Sequence, residues 1–166
     1  MKKANFNKIK DRTFLSSKAA ALVGVSQRTV QAWTEPPMGL IICPTKGKGH
    51  RRQYSVINCV EMAIIKKLVD GRVGLKTIKR VMDIFQDPLL KAETEELVVW
   101  DYVYLIIREI PGVEQPNIII NSLFQQEAKV EKDWFKQTSP FKIEMVLIYN
   151  LSQIAQRILE SIAKEA

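Results

Sequence analysis

The spacing of apolar residues divides the chain into two parts of different character. Up to about residue 85, apolar side chains recur every three or four positions, which is the period of helices with one buried face. Between residues 97 and 149, β-branched and aromatic residues cluster in short runs, which is typical of strands. The pattern therefore predicts an α+β chain with helices first, then a short sheet and a terminal helix.

Two short helices are predicted near the N-terminus, joined by a tight turn. Ser16 or Ser17 is expected to cap the first helix, because a serine hydroxyl can accept a hydrogen bond from a first-turn amide. Gly24 should end it, since a positive φ costs little without a Cβ. Ser26 should cap the second helix, which runs from Gln27 to about Glu35 and stops at the two prolines that follow.

The second helix carries a polar face that suits contact with DNA. Val30 and part of Trp33 can face the first helix, while other side chains point outward. In the major groove, arginine pairs with guanine and glutamine with adenine. The residues expected to contact DNA from this helix pair are Ser17, Ser26, Gln27, Arg28, Thr29, Gln31, Ala32 and Trp33.

A segment rich in lysine, glycine and arginine follows at residues 45–54. Its glycines allow a tight hairpin, and a cationic hairpin beside a recognition helix fits a wing laid against phosphates or into a minor groove. The expected contacts are Lys46, Lys48, His50, Arg51, Arg52 and Tyr54. The glycines do not form a nucleotide-binding loop, because no Gly-Lys-Ser/Thr ending follows them. The two short helices and this hairpin together predict a winged helix-turn-helix.

Two longer amphipathic helices are predicted next. The first is capped by Ser55 and ended by Gly71, and the second reaches Phe85. Their predicted buried positions recur at spacings of three and four: Val56, Ile57, Val60, Ile64, Ile65, Leu68 and Val69 in the first, then Leu75, Ile78, Val81, Met82 and Phe85 in the second.

Residues 14–85 resemble the DNA-binding domain of MerR-type transcriptional regulators. In that family a segment like Gly24–Gln31 joins the two helices, a wing ends like Gly49–Ser55, and a short helix like Val73–Lys79 follows an apolar one. The resemblance implies a winged helix-turn-helix that binds double-stranded DNA. Gln31 stands where the family usually carries an arginine. The base sequence of the DNA site therefore does not follow from the resemblance. The same module also occurs in phage and plasmid proteins such as excisionases.

The second part of the chain predicts a strand or hairpin in residues 97–108 and strands in residues 117–124 and 141–149. A helix that Ser152 caps and that ends near Lys164 is predicted to follow. Apolar residues in that helix repeat like a short coiled-coil seam, at Leu151, Ala155, Ile158 and Ile162. The seam motivates the expectation of a homodimer formed through residues 97–166. Alternating aromatic residues could line an effector pocket or serve core packing, and both readings stay open for Trp100, Tyr102 and Tyr104.

The resulting domain organisation has four parts. Residues 1–13 are expected to form a flexible basic N-terminus, 14–85 the DNA-binding domain, 86–96 an acidic linker, and 97–166 a small α+β domain for dimerisation and effector binding. In the family a long dimerising helix usually ends the DNA-binding domain, whereas here a proline at position 88 interrupts the helix pattern.

The distribution of charge supports this division. Residues 1–85 carry 17 Lys and Arg against 5 Asp and Glu, whereas residues 86–166 carry 8 against 13. The net charges of +12 and −5 indicate a polyanion-binding module joined to a part that does not touch the polyanion. No apolar run reaches the roughly 18 residues of a membrane helix, and no signal-peptide pattern follows the first lysines, so a cytoplasmic location is expected.

Catalysis, metal binding and cofactors are not expected. The single histidine, His50, has no carboxylate or nucleophile near it in sequence, and Cys43 and Cys59 lack metal-ligand spacing. Two hypotheses remain. The first is a homodimeric transcriptional regulator that binds double-stranded DNA, with an unknown small-molecule effector as an open question. The alternative is an architectural or phage- or plasmid-type DNA-binding protein, excisionase-like or packaging-like, that has no effector.

Overall fold

A computed structural model describes residues 9–42, 51–86, 103–109, 117–122 and 145–164. Within these ranges the chain forms five helices and five strands, which confirms the predicted α+β class. In chain order they are β1 (Thr13–Leu15), α1 (Ser16–Val23), α2 (Gln27–Thr34), β2 (Gln53–Ser55), α3 (Val56–Asp70), α4 (Leu75–Gln86), β3 (Val103–Glu109), β4 (Asn117–Ser122), β5 (Met145–Asn150) and α5 (Leu151–Lys164).

The predicted turn between α1 and α2 is confirmed. Gly24 adopts the left-handed conformation with φ 73°, and its N–H donates to the Ala20 carbonyl at 2.9 Å. The Ser26 hydroxyl accepts from the Thr29 N–H at 3.0 Å and so caps α2. The expected serine cap of α1 is wrong, because that helix already begins at Ser16 and the residue before it is Leu15, which has no capping side chain.

A short strand ahead of α1 pairs antiparallel with β2, which the hydrophobic pattern did not predict. Phe14 lies opposite Tyr54, and both are buried, while the neighbouring Leu15 and Gln53 are exposed. The burial of Ile9 shows that the packed part of the chain begins before residue 14. The expectation of a flexible segment over residues 1–13 is therefore wrong from residue 9 onward, and residues 1–8 lie outside the described residues.

Helix α3 lies at the centre of the described structure and packs against α1, α4 and α5. The predicted Ser55 cap is confirmed, and it forms a reciprocal pair with Asn58: each side chain accepts from the other residue's N–H at 3.1 Å. Ten of the fifteen residues of α3 are buried, a wider face than the single predicted stripe. Val69, which was expected inside, is 49% exposed.

Helix α4 follows α3 after a tight turn at Gly71 and Arg72, the latter with φ 58°. Its predicted buried positions Ile78, Val81, Met82 and Phe85 are confirmed, whereas Leu75 at its start is exposed.

The second part of the chain contains a three-stranded antiparallel sheet with the order β4-β3-β5. Ile106 in the central strand lies opposite Ile119 on one side and Ile148 on the other. Strands were predicted at all three places. The segments 97–102, 123–124 and 141–144 of those predictions lie outside the described residues.

Helix α5 covers the central helix rather than presenting a free seam. Leu151, Ala155, Ile158 and Ile162 are all buried, and α5 packs against α3 and β3 of the same chain. The expectation that this seam joins two copies of the chain is therefore wrong, because its apolar residues are already covered. The predicted Ser152 cap is also wrong: the Asn150 side chain accepts from the Gln153 N–H at 2.9 Å and begins the helix.

The two parts of the chain share one hydrophobic core. Leu105 and Ile107 of β3 belong to the same buried cluster as Val60 and Leu68 of α3. The Arg12 guanidinium donates to the Ile162 carbonyl at 3.1 Å, which ties the N-terminal segment to the last turns of α5. Contacts of this kind join the packing of the second part to that of the first.

The contact between Tyr149 and Gly71 provides a test of this shared core. A Cβ at position 71 would collide with the Tyr149 hydroxyl, although the φ of −78° at Gly71 is open to any residue. We expect Gly71→Ala to lower the free energy of unfolding by about 1–3 kcal/mol for steric reasons alone. Chemical denaturation of the full-length protein measures this loss.

Tyr149→Phe is the matched partner, because it removes the colliding oxygen. Alone it should have a small effect, and combined with Gly71→Ala it should restore a large part of the lost stability, which a double-mutant cycle detects. Additive effects of the two substitutions would show that β5 does not pack on the turn between α3 and α4.

Candidate nucleic-acid interface

Helix α2 turns one face to the core and the other to solvent. Val30 and Trp33 point inward, three positions apart, and pack in the hydrophobic cluster. Arg28 and Gln31, also three positions apart, are exposed and lie on one side of the helix. Thr29 and Ala32 are half-buried between the two faces. The structure thus places a basic and an amide side chain together on the outer surface, as the sequence predicted.

The start of α2 is held by its own polar residues. The Ser26 and Thr29 hydroxyls lie 2.8 Å apart, and the Ser26 hydroxyl also caps the helix. The Gln27 amide donates to the Ser16 hydroxyl at 2.8 Å, which links the first turns of α1 and α2. These predicted contact residues therefore have a structural part in orienting the helix. Ser17 is exposed on α1 beside this link.

Two predicted contact residues belong to the core. Trp33 is 6% exposed and Tyr54 is 0% exposed, so neither side chain is available to a DNA surface. Trp33 packs inward because it follows Val30 by three positions on the buried face of α2. Tyr54 is buried because β2 pairs with β1 and turns its central residue inward. The prediction of DNA contacts by these two residues is wrong on these grounds.

A polar cluster at the end of α2 has no local signal in the sequence. The Arg52 guanidinium donates to the Glu35 carboxylate at 2.7 Å and to the Thr34 hydroxyl at 3.3 Å. The Thr34 hydroxyl itself donates back to the Gln31 carbonyl at 3.0 Å and lies 3.5 Å from the Tyr54 hydroxyl. The cluster joins the end of the recognition helix to the residues that lead into β2. No periodic pattern signals such a contact, since its partners lie 17 and 18 positions apart.

The chain that leaves α2 is anchored on its other side as well. The N–H groups of Leu40 and Ile41 donate to the Trp33 carbonyl at 2.7 and 3.2 Å, and both side chains are buried. The Gln86 amide donates to the Leu40 carbonyl at 2.6 Å, which ties this loop to the end of α4. The end of α2 is thus fixed from two directions.

The remaining predicted wing residues are only partly described. Arg51 is exposed and stands two positions before β2. Lys46, Lys48 and His50 lie outside the described residues, as does Cys43.

Cys59 is a core residue rather than a reactive thiol. It is fully buried in α3, and burial, with a smaller contribution from the nearby Glu61 carboxylate, raises its pKa to about 12. A thiol with that pKa stays protonated at neutral pH and is a poor nucleophile and metal ligand. Over the described ranges no group of His, Cys, Asp and Glu side chains is arranged to hold a metal ion.

Of the three aromatic residues suggested for an effector pocket, the structure describes the strand position of Tyr104 alone. Tyr104 lies in β3, opposite Asn121 of β4 and Asn150 of β5. Trp100 and Tyr102 lie outside the described residues.

The helical first part of the chain is similar to a known protein family. Residues 14–83 match the family described as MerR HTH family regulatory protein. This segment is similar to the MerR-type helix-turn-helix domain. The family consists of DNA-binding regulators, which agrees with the exposed polar face of α2. No curated protein matches the chain.

The MerR-type match runs from β1 into α4 and stops before the three-stranded sheet. The match therefore covers the part of the chain that carries α2 and does not extend to β3, β4, β5 and α5. None of the helices in the described ranges is long and apolar enough to cross a membrane.

Proposed function

We propose that the protein is a transcriptional regulator that binds double-stranded DNA through α2 and the basic segment before β2. The observation that carries the proposal is the solvent-facing pair Arg28 and Gln31 on a MerR-type helix whose opposite face is locked into the core. A helix of this kind fits the major groove, and these two side chains have the hydrogen-bonding groups that distinguish guanine and adenine.

Electrostatic attraction to the phosphate backbone supports the same proposal. The net charge of +12 over residues 1–85 gives this part of the chain a sequence-independent affinity for DNA. Lys18 on α1, Arg28 on α2 and Arg51 ahead of β2 are exposed cations of the described residues. Arg51 and Ser17 would contact phosphates and set the register, while Arg28 and Gln31 would contact base edges.

Binding as a dimer is a further part of the proposal. A single small winged module buries little surface on DNA, and two copies on two half-sites increase both affinity and the length of the site. Because the α5 seam is covered within the chain, the two copies would have to meet through another surface.

The alternative is an architectural or phage-type protein that binds DNA without an effector. The packing of α5 favours it, because the terminal helix is used up in the chain's own core instead of extending toward a second copy. The two proposals differ in the DNA that is bound. A regulator binds defined base sequences, whereas the affinity of an architectural protein depends on the length of the DNA fragment.

Selection of bound fragments from random DNA with the full-length protein tests the function. We expect enrichment of one sequence with two-fold symmetry, because two identical modules present the same α2 to each half-site. Mass measurement of the complex should give two chains per site. Binding that depends only on fragment length supports the architectural alternative, and the absence of binding to any duplex contradicts both.

Arg28→Ala tests direct contact with bases. We expect a loss of about 1–3 kcal/mol on the selected site, because a bidentate contact with guanine is removed. Titration of selected and unrelated duplexes at one salt concentration measures the loss. An equal loss on both duplexes would mean that Arg28 touches only phosphate.

Arg51→Ala tests the phosphate contact ahead of β2. We expect the slope of log K against log salt to become shallower by about one unit, since one fewer counterion is released on binding. Titrations between low and physiological salt give the slope. If it stays the same in the variant, Arg51 does not lie on the phosphate backbone.

A further inference from the structure

We propose that Arg52 is a positioning residue that locks the segment bearing Arg51 to the end of α2, and that it does not bind phosphate itself. The inference rests on the proposed DNA-binding function and deepens it. Its basis is the bond between the Arg52 guanidinium and the Glu35 carboxylate, at 2.7 Å, which spans 17 residues of sequence.

The charges at the end of α2 explain why an arginine is held there. The C-terminus of a helix carries a partial negative charge, and a glutamate at that end is unfavourable unless a cation compensates it. Glu35 directly follows α2 as its C-terminal capping residue, with its N–H donating to the Gln31 carbonyl. Arg52 neutralises both the carboxylate and the helix end.

The same guanidinium nitrogen reaches a second acceptor on the helix. It donates to the Thr34 hydroxyl at 3.3 Å, and that hydroxyl bonds back to the carbonyls of Val30 and Gln31 at 3.2 and 3.0 Å. Arg52 is therefore connected through Thr34 to the turn that carries Gln31, a residue on the proposed reading face.

The Arg52–Glu35 ion pair lies at a point in the chain where it can hold Arg51 in place. Arg52 lies between the exposed Arg51 and β2, and Tyr54 of β2 is fully buried beside Thr34. Releasing Arg52 to a phosphate would leave Glu35 unpaired near the DNA, where its charge repels the backbone. Keeping the bond neutralises Glu35 and fixes Arg51 relative to α2.

A second ion pair in the chain supplies a matched control. Lys66 and Asp70 also lie 2.7 Å apart, with side-chain exposures of 35% and 51%, against 32% and 49% for Arg52 and Glu35. The control pair links two turns of α3 and joins no separate elements. Asp70→Asn changes the net charge as Glu35→Gln does, so it reports the purely electrostatic effect of losing one carboxylate.

The experiment measures affinity of the full-length protein for the selected duplex over a series of salt concentrations. The variants are Glu35→Gln, Arg52→Gln, their combination and Asp70→Asn. If Arg52 positions Arg51, each single variant at the pair weakens binding by about three- to tenfold, and the combination is no weaker than Arg52→Gln alone. Both single variants then lower the salt slope alike, by at most the one unit that the Arg51 contact contributes, while Asp70→Asn neither weakens binding nor lowers the slope.

Phosphate binding by Arg52 predicts the opposite signs. Glu35→Gln would then strengthen binding, because it frees Arg52 for the phosphate and removes a repelling charge. Arg52→Gln would lower the salt slope by about one unit, whereas Glu35→Gln would not lower it. That pattern overturns the proposal.

Exchanging the charges of residues 35 and 52 further distinguishes a positioning role of Arg52 from a phosphate-binding role. The variant with Glu35→Arg and Arg52→Glu keeps the net charge and can rebuild the bond in reverse. A positioning role predicts that it regains affinity relative to the single variants. A phosphate-binding role predicts that it binds worst, since a glutamate would face the backbone.

Hydrogen exchange on the free protein tests the bond without DNA. Amides of residues 51–55 should exchange faster in Glu35→Gln and Arg52→Gln, and at the wild-type rate in Asp70→Asn. Unchanged exchange in both pair variants overturns the proposal. If the wild-type protein binds no DNA at all, the proposed function fails, while the exchange rates still decide whether Arg52 holds this segment.

Discussion

The burial of α3 on several sides is the constraint on which the described structure depends. Ten of its fifteen residues are buried, and it packs against α1, α4 and α5. A helix with so wide an apolar surface is stable only when several neighbours cover it. The recognition helix α2 packs on α1, which in turn packs on α3. The orientation of the proposed DNA-reading surface is thus inherited from the central helix and from everything that covers it.

This dependence explains why the repeat in α5 is an internal packing surface. A seam at spacings of three and four shows that one face of a helix is covered, but the spacing does not identify the chain that covers it. Here part of the apolar surface of α3 is left uncovered by α1 and α4, and α5 packs against it. Burial of Leu105 and Ile107 in the same cluster extends the shared core into the sheet.

Local signals predicted the elements well, and contacts between distant residues could not be predicted. Gly24, Ser26 and Ser55 mark helix ends through their own backbone or capping chemistry, so sequence alone located them. Strand β1 has three residues, too few to show a period, and it exists because β2 lies beside it. The burial of Tyr54 and the partner of Arg52 follow from that pairing, which no local pattern encodes.

The polar residues of the recognition region divide into two groups with different consequences. Ser26, Gln27, Thr34 and Arg52 bond within the protein, and they set where α2 points. Arg28 and Gln31 face solvent, and they carry the proposed base contacts. Within such an arrangement, a change at the second group alters which DNA is preferred. A change at the first group moves the whole reading face, and so weakens binding to every site while leaving the order of preference intact.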